Sequence, residues 1–113
     1  MTKDNKIYLN DILRAIESIE GFLNGVDFEK FSLDDKTFSA VVRKLEIIGE
    51  ATKQISEELR KKYTQVPWKD MAGMRDRLIH FYAGVDYKLV WQTVQNELPK
   101  VKKMVNQILK EVH

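Results

Sequence analysis

Arg75, His80 and Tyr82 form an R-x4-H-x-Y run inside Arg75-Asp76-Arg77-Leu78-Ile79-His80-Phe81-Tyr82, and these are the residues of the chain best equipped to do chemistry. An arginine fork neutralises a phosphate through two parallel hydrogen bonds. A histidine titrating near neutrality can take a proton from a ribose 2′-hydroxyl or give one to a leaving 5′-oxygen. Together they suffice for metal-independent RNA cleavage, because the 2′-hydroxyl is an internal nucleophile and the arginine meets the charge that builds on phosphorus. The same residues have a plainer reading. A helical histidine is most often structural, charges such as Arg75, Asp76 and Arg77 most often form a solvated face, and a tyrosine beside an apolar stripe most often belongs to the core.

Helical geometry separates these readings. With about 100° per residue and Arg75 set at zero, Met71, Met74, Leu78 and Phe81 fall between roughly 240° and 320° and define a core-facing stripe. Asp76 lies near 100° and His80 near 140°, away from that stripe and one helical turn apart. The Asp76 carboxylate can therefore orient His80 and raise its basicity, while adding negative charge near a scissile phosphate. Arg75 and Tyr82 share one edge, near 0° and 340°. Ala72, Gly73 and Ile79 lie among these polar residues, and a face mixing small and apolar side chains with charges suggests that another helix docks there. A homodimer is expected, its cleft bringing together two Arg75 and two His80 side chains to supply both base and acid.

The elements that must position these residues read as helices throughout, with no convincing period-two alternation. The first spans roughly Lys6 to Leu23 and breaks at Asn24-Gly25. A linker bearing Phe28 and Phe31 follows, long enough for a short helix. Ser32-Leu33-Asp34-Asp35 has the form of an N-cap followed by an acidic third residue, and a long second helix carries Phe38, Val41, Val42, Leu45, Ile48, Thr52, Ile55 and Leu59 to the basic end Arg60-Lys61-Lys62. Pro67 presets entry to a third helix from about Trp68, ended by Gly84, and Asp86 caps a fourth through Leu89, Val90, Val94 and Leu98. Pro99 imposes a kink or a restart before a last helix from Val101 to Val112. The expected fold is one all-α bundle of four to five helices over residues 1–113.

Composition bounds the function. The chain has 113 residues, 19 Lys and Arg against 17 Asp and Glu, a net charge of +2 and no cysteine. Disulfides, thiolate metal sites and thiol nucleophiles are excluded, and any anion site must be local rather than a product of bulk charge. No metal and no cofactor is expected. Without a membrane-length apolar run or a leader after Met1-Thr2-Lys3-Asp4-Asn5, a cytoplasmic protein is expected. Lys100, Lys102, Lys103 and Lys110 read first as a solvated basic face and second as a track for RNA phosphates.

Nearly the whole chain resembles the HepT-type toxins of the HEPN superfamily. The resemblance is carried by Leu45-Glu46-Ile47-Ile48-Gly49-Glu50-Ala51, Val66-Pro67-Trp68, Gly73-Met74-Arg75-Asp76, His80-Phe81-Tyr82, Gly84-Val85-Asp86, Val90-Trp91 and Leu98-Pro99. It implies a dimeric HEPN-type helical bundle, a ribonuclease toxin with Arg75 and His80 in its active site, and a partner antitoxin of the minimal nucleotidyltransferase type that transfers AMP to Tyr82. The residue after the motif arginine is often asparagine in that superfamily, and here it is Asp76. A non-catalytic helical module that binds a nucleotide or the nucleotidyltransferase would need the same fold and the same anion-binding cleft.

Overall fold

A computed structural model describes residues 3–79 and 86–111, and among these the chain is helical with no β-strand. The first helix, α1 (Lys3–Phe22), ends where Gly25 takes a positive φ of 75°. Glycine adopts that conformation without the steric cost a side chain would add. Next come α2 (Phe28–Leu33) and α3 (Asp35–Gln54). After α4 (Glu57–Lys62) and a loop, α5 (Trp68–Ala72) leads into α6 (Met74–Ile79). The chain then runs through α7 (Tyr87–Gln92), a π-helical turn at Thr93–Glu97, and α8 (Leu98–Glu111).

The core forms because α1, α3 and α8 each carry an apolar stripe. Leu9, Ile12, Ile16 and Ile19 of α1 are sealed from solvent with Val41, Leu45 and Ile48 of α3 and Val101, Val105 and Ile108 of α8. α1 packs chiefly on α3 and secondly on α8, while α5 and α6 pack on α3. Each such aliphatic side chain contributes roughly 1.5–3 kcal/mol on burial.

The long second helix expected from sequence is two helices. α3 stops at Gln54, Ile55 is extended (φ −66°, ψ 134°), and the Ser56 hydroxyl caps α4 by accepting the Leu59 N–H at 3.2 Å. Buried Asn5 fixes that break. Its amide donates to Ser56 Oγ at 2.9 Å, and its carbonyl accepts the Ser56 N–H at 3.0 Å. Ile55 and Leu59 stay buried across the break, which is why their spacing reads as one stripe. The cap expected near Ser32 also lies elsewhere. Ser32 is inside α2, where its hydroxyl donates to the Glu29 carbonyl, and Asp34 caps α3 by accepting the Thr37 N–H at 3.1 Å and the Thr37 hydroxyl at 2.6 Å. Asp27 caps α2 through the Lys30 N–H.

Asp86 caps α7 as expected, accepting the Leu89 N–H at 2.9 Å. Pro99 acts through the turn before it. The Leu98 N–H reaches the Thr93 carbonyl, five residues back, and this widened turn takes up the missing donor and the ring clash that proline brings to a helix interior. The helical path thus continues into α8 instead of stopping. Gly84, the expected stop of the third helix, lies outside the described residues.

The two ends of the bundle are held differently. At one end the Tyr63 hydroxyl donates to Glu111 Oε2 at 2.7 Å, tying the end of α8 to the turn after α4, and the Trp68 indole donates to the Tyr63 carbonyl at 2.9 Å. At the other end Phe31, fully buried, gathers Phe38, Tyr87 and Trp91 at centroid distances of 5.7, 6.1 and 5.2 Å. Aromatic contacts of this kind fix ring geometry as well as burying area.

The Tyr63–Glu111 bond gives stability a pH dependence. The bond from Tyr63, followed by that from Gln107, holds the Glu111 carboxyl below its usual 4.5, and the bond to Glu111 raises the Tyr63 phenol above 10.0. The carboxylate's contribution is present above pH 4.5 and lost as pH falls through its lowered folded value; the phenol's is present below pH 10.0 and lost as pH rises through its raised one. Tyr63→Phe is therefore expected to be less stable than wild type in urea at neutral pH, with the difference closing in acid. A difference that persists unchanged under acid conditions would show that the bond contributes nothing.

Candidate functional site

Arg75 and Asp76 lie in the first turn of α6, which follows α5 through Gly73. Gly73 ends α5 with φ −84° and ψ 0°, and its N–H donates to the Lys69 carbonyl. A Cβ at this position would stand 3.3 Å from that oxygen, so any larger residue would require the last turn of α5 to yield. The two short helices therefore follow one another closely and rest together on α3.

The core stripe expected for this stretch is present where it can be read. Met71 and Met74 are buried, with Trp68 and Val66 just before them, whereas Asp76 and Arg77 are exposed. Ala72 and Gly73 are half-exposed, so the small residues of the expected docking face are not covered within one chain. Arg75 belongs to α6 by its backbone. Its side chain, His80 and Tyr82 lie outside the described residues, as do Phe81 and the side chains of Leu78 and Ile79. Of the sequence-derived candidates, then, Arg75 and Asp76 share the first turn of a helix seated on α3, with Asp76 directed to solvent.

α6 packs on α3, whose family-bearing segment is largely buried. Leu45, Ile48, Gly49, Ala51 and Thr52 are all buried. Thr52 satisfies its own buried hydroxyl by donating to the Ile48 carbonyl at 2.6 Å, so a polar residue costs the stripe little. Downstream, the chain re-enters at Asp86, and Tyr87 donates its hydroxyl to Asp35 Oδ1 at 3.3 Å across the first turn of α3. Partial burial first, and the adjacent Asp35 carboxylate second, raise the Tyr87 pKa.

The lysines of the last helix do not act alike. Lys102 pairs with Glu20 of α1 at 2.8 Å, and that hydrogen bond is the main reason its pKa is raised. It joins α8 to α1, whereas Lys100, Lys103 and Lys110 are exposed. Arg60, read from sequence as part of a basic helix end, turns its guanidinium back to the Thr52 carbonyl at 2.7 Å. Sequence reasoning passed over Asn5, Tyr63 and Tyr87. The only available signal was for Asn5: an amide at a position where the α1 stripe calls for an apolar residue. Among the described residues no group of His, Asp and Glu is arranged to hold a metal ion, and no helix is long and apolar enough to cross a membrane.

An all-helical bundle with a motif helix seated on its central helix is a domain of the HEPN class. The profile described as "Ribonuclease HepT-like" matches residues 12–108. The chain belongs to the HepT-like ribonuclease family. It is 48% identical over 102 residues to a Thermococcus cleftensis protein named "Probable ribonuclease HepT", covering 90% of this chain and 93% of that one. Two further relatives carry provisional RNase names. One, from Methanocaldococcus jannaschii, is 44% identical over 110 residues (97% of this chain, 91% of its own), and one from Caldanaerobacter subterraneus is 45% identical over 109 residues (96% and 97%). No solved structure gives a significant match.

The burial pattern around the motif has a direct test. Met74→Ala removes a buried side chain and is expected to lower unfolding free energy by about 2–5 kcal/mol, whereas exposed Asp76→Ala should stay within about 0.5 kcal/mol. Urea denaturation of the two variants measures both, and comparable losses would place Asp76 in the packed interior.

Proposed function

We propose that this protein is a metal-independent endoribonuclease, the toxin of a toxin–antitoxin pair, working in the cytoplasm as a homodimer whose cleft holds Arg75 and His80 from both subunits. The observation that carries this reading is the seating of Arg75 and Asp76 in the first turn of a short helix that packs on α3, with Met74 buried and Asp76 exposed, in a chain of a ribonuclease family. The relative named as a ribonuclease HepT supports the same assignment.

In the reaction one His80 takes the proton of the ribose 2′-hydroxyl, whose oxygen attacks the adjacent phosphorus. The P–O5′ bond breaks as the second His80, protonated, gives its proton to the leaving oxygen. The products are a 2′,3′-cyclic phosphate and a free 5′-hydroxyl, so no water or metal enters the cleavage step. Arg75 binds the phosphate and meets the added negative charge of the pentacoordinate state. Asp76 stabilises the imidazolium of His80. The antitoxin, a minimal nucleotidyltransferase, attaches AMP to Tyr82. The added phosphate competes for Arg75 and the base fills the cleft, so activity stops without unfolding.

Arg75→Ala and His80→Ala are each expected to abolish cleavage of RNA in EDTA while retaining the helical fold and the dimer. Near-normal cleavage by either variant removes that residue from the mechanism, and loss of wild-type cleavage in EDTA removes metal independence. Asp76→Asn should move the histidine limb of the pH–rate profile to lower pH, because a neutral amide no longer favours the imidazolium. For Tyr82, intact mass measured after incubation with the nucleotidyltransferase and ATP should rise by AMP units in wild type and not in Tyr82→Phe. An equal gain in both proteins would assign the modification elsewhere.

A further inference from the structure

Resting on that ribonuclease reading, we infer that Tyr87 is a positioning residue for the reaction, fastening the chain just beyond residues 80–85 to the first turn of α3. Tyr87 opens α7 directly after its cap, Asp86. Its hydroxyl donates to Asp35, the first residue of α3, at 3.3 Å. Its ring lies 4.5 Å from that of Phe38, one turn further along α3, and meets Phe31 edge-on at 6.1 Å with an interplanar angle of 90°. Phe31 is fully buried and also holds Trp91, so the anchor is part of the aromatic core at that end of the bundle and not a lone surface contact.

Upstream of residues 80–85, α6 rests on α3; downstream, Tyr87 is fixed to α3. Whatever path the intervening residues follow, both of its ends are set by one helix. Arg75 lies within the upstream attachment itself, in the first turn of α6. His80 stands in the chain between the two attachments, one residue beyond α6 and seven before Tyr87. Releasing the downstream anchor should therefore disturb the proton-transferring group more than the phosphate-binding one. A misplacement of about 1 Å is enough to cost a reaction on the order of a hundredfold.

The experiment is steady-state RNA cleavage in EDTA by wild type and by Tyr87→Ala, Tyr87→Phe, Asp35→Ala and the Tyr87→Phe/Asp35→Ala double variant. Tyr63→Phe serves as a comparison, because it removes a tyrosine–carboxylate bond at the opposite end of the bundle. Tyr87→Ala is expected to lower kcat by about tenfold or more with KM within about twofold, and Tyr87→Phe to lose less because its ring remains. Asp35→Ala should match Tyr87→Phe, and the double variant should be no worse than either, since all three lack the same bond. Tyr63→Phe should lose stability and keep its kcat. The limbs of the pH–rate profile should stay in place in the Tyr87 variants; a limb that disappears would make Tyr87 a proton donor and overturn the positioning role. Wild-type kcat in folded Tyr87→Ala, or an equal kcat loss in Tyr63→Phe, overturns the inference and leaves the ribonuclease reading standing. A wild-type protein that does not cleave RNA overturns both.

Discussion

Burial of α3 from several directions is the constraint on which the rest of the structure depends. Its apolar side chains lie against α1, and α5 and α6 pack on it as well. Thr52 and Gly49 are buried on this helix among larger apolar neighbours. Because α3 is shared, the core of the bundle and the seat of the motif helix are one packing problem. A change that shifts α3 must shift α6 with it, since close-packed interiors transmit displacement instead of absorbing it.

The two ends of α3 are managed by different chemistry. At its C-terminal end polar bonds dominate: Asn5 to Ser56, Arg60 to the Thr52 carbonyl, and Tyr63 to Glu111. At its N-terminal end a cluster of rings does the holding, with Phe31 at its centre and carboxylate caps at Asp27, Asp34 and Asp86. Both arrangements close loops in the chain, yet only the second lies directly beyond the segment that bears His80 and Tyr82.

Helical class, the stripe of Met71 and Met74, the Asp86 cap, the disturbance at Pro99 and the family itself were legible in the sequence. Each follows from local rules, namely 3.6-residue periodicity, side-chain capping and the missing N–H of proline, and the family from ordered motifs along nearly the whole chain. The break between α3 and α4 was not legible, because Ile55 and Leu59 keep the apolar spacing across it while the decisive contact comes from Asn5, distant in sequence. The sorting of the basic residues was hidden for the same reason. Lys102 and Arg60 look like solvated charges until Glu20 and the Thr52 carbonyl are brought beside them.

The sequence by itself determined that Arg75 and Asp76 would sit on a helix and that Asp76 would turn away from its apolar stripe, since that follows from a fixed angle per residue. Only the tertiary structure decided that this helix rests on α3, and that the chain returning at Asp86 is tied to the same helix through Tyr87 and Asp35. Periodicity gives the face a helix buries but not the surface it meets. That surface is chosen by packing and hydrogen bonding between residues far apart in the chain, and no local pattern encodes it.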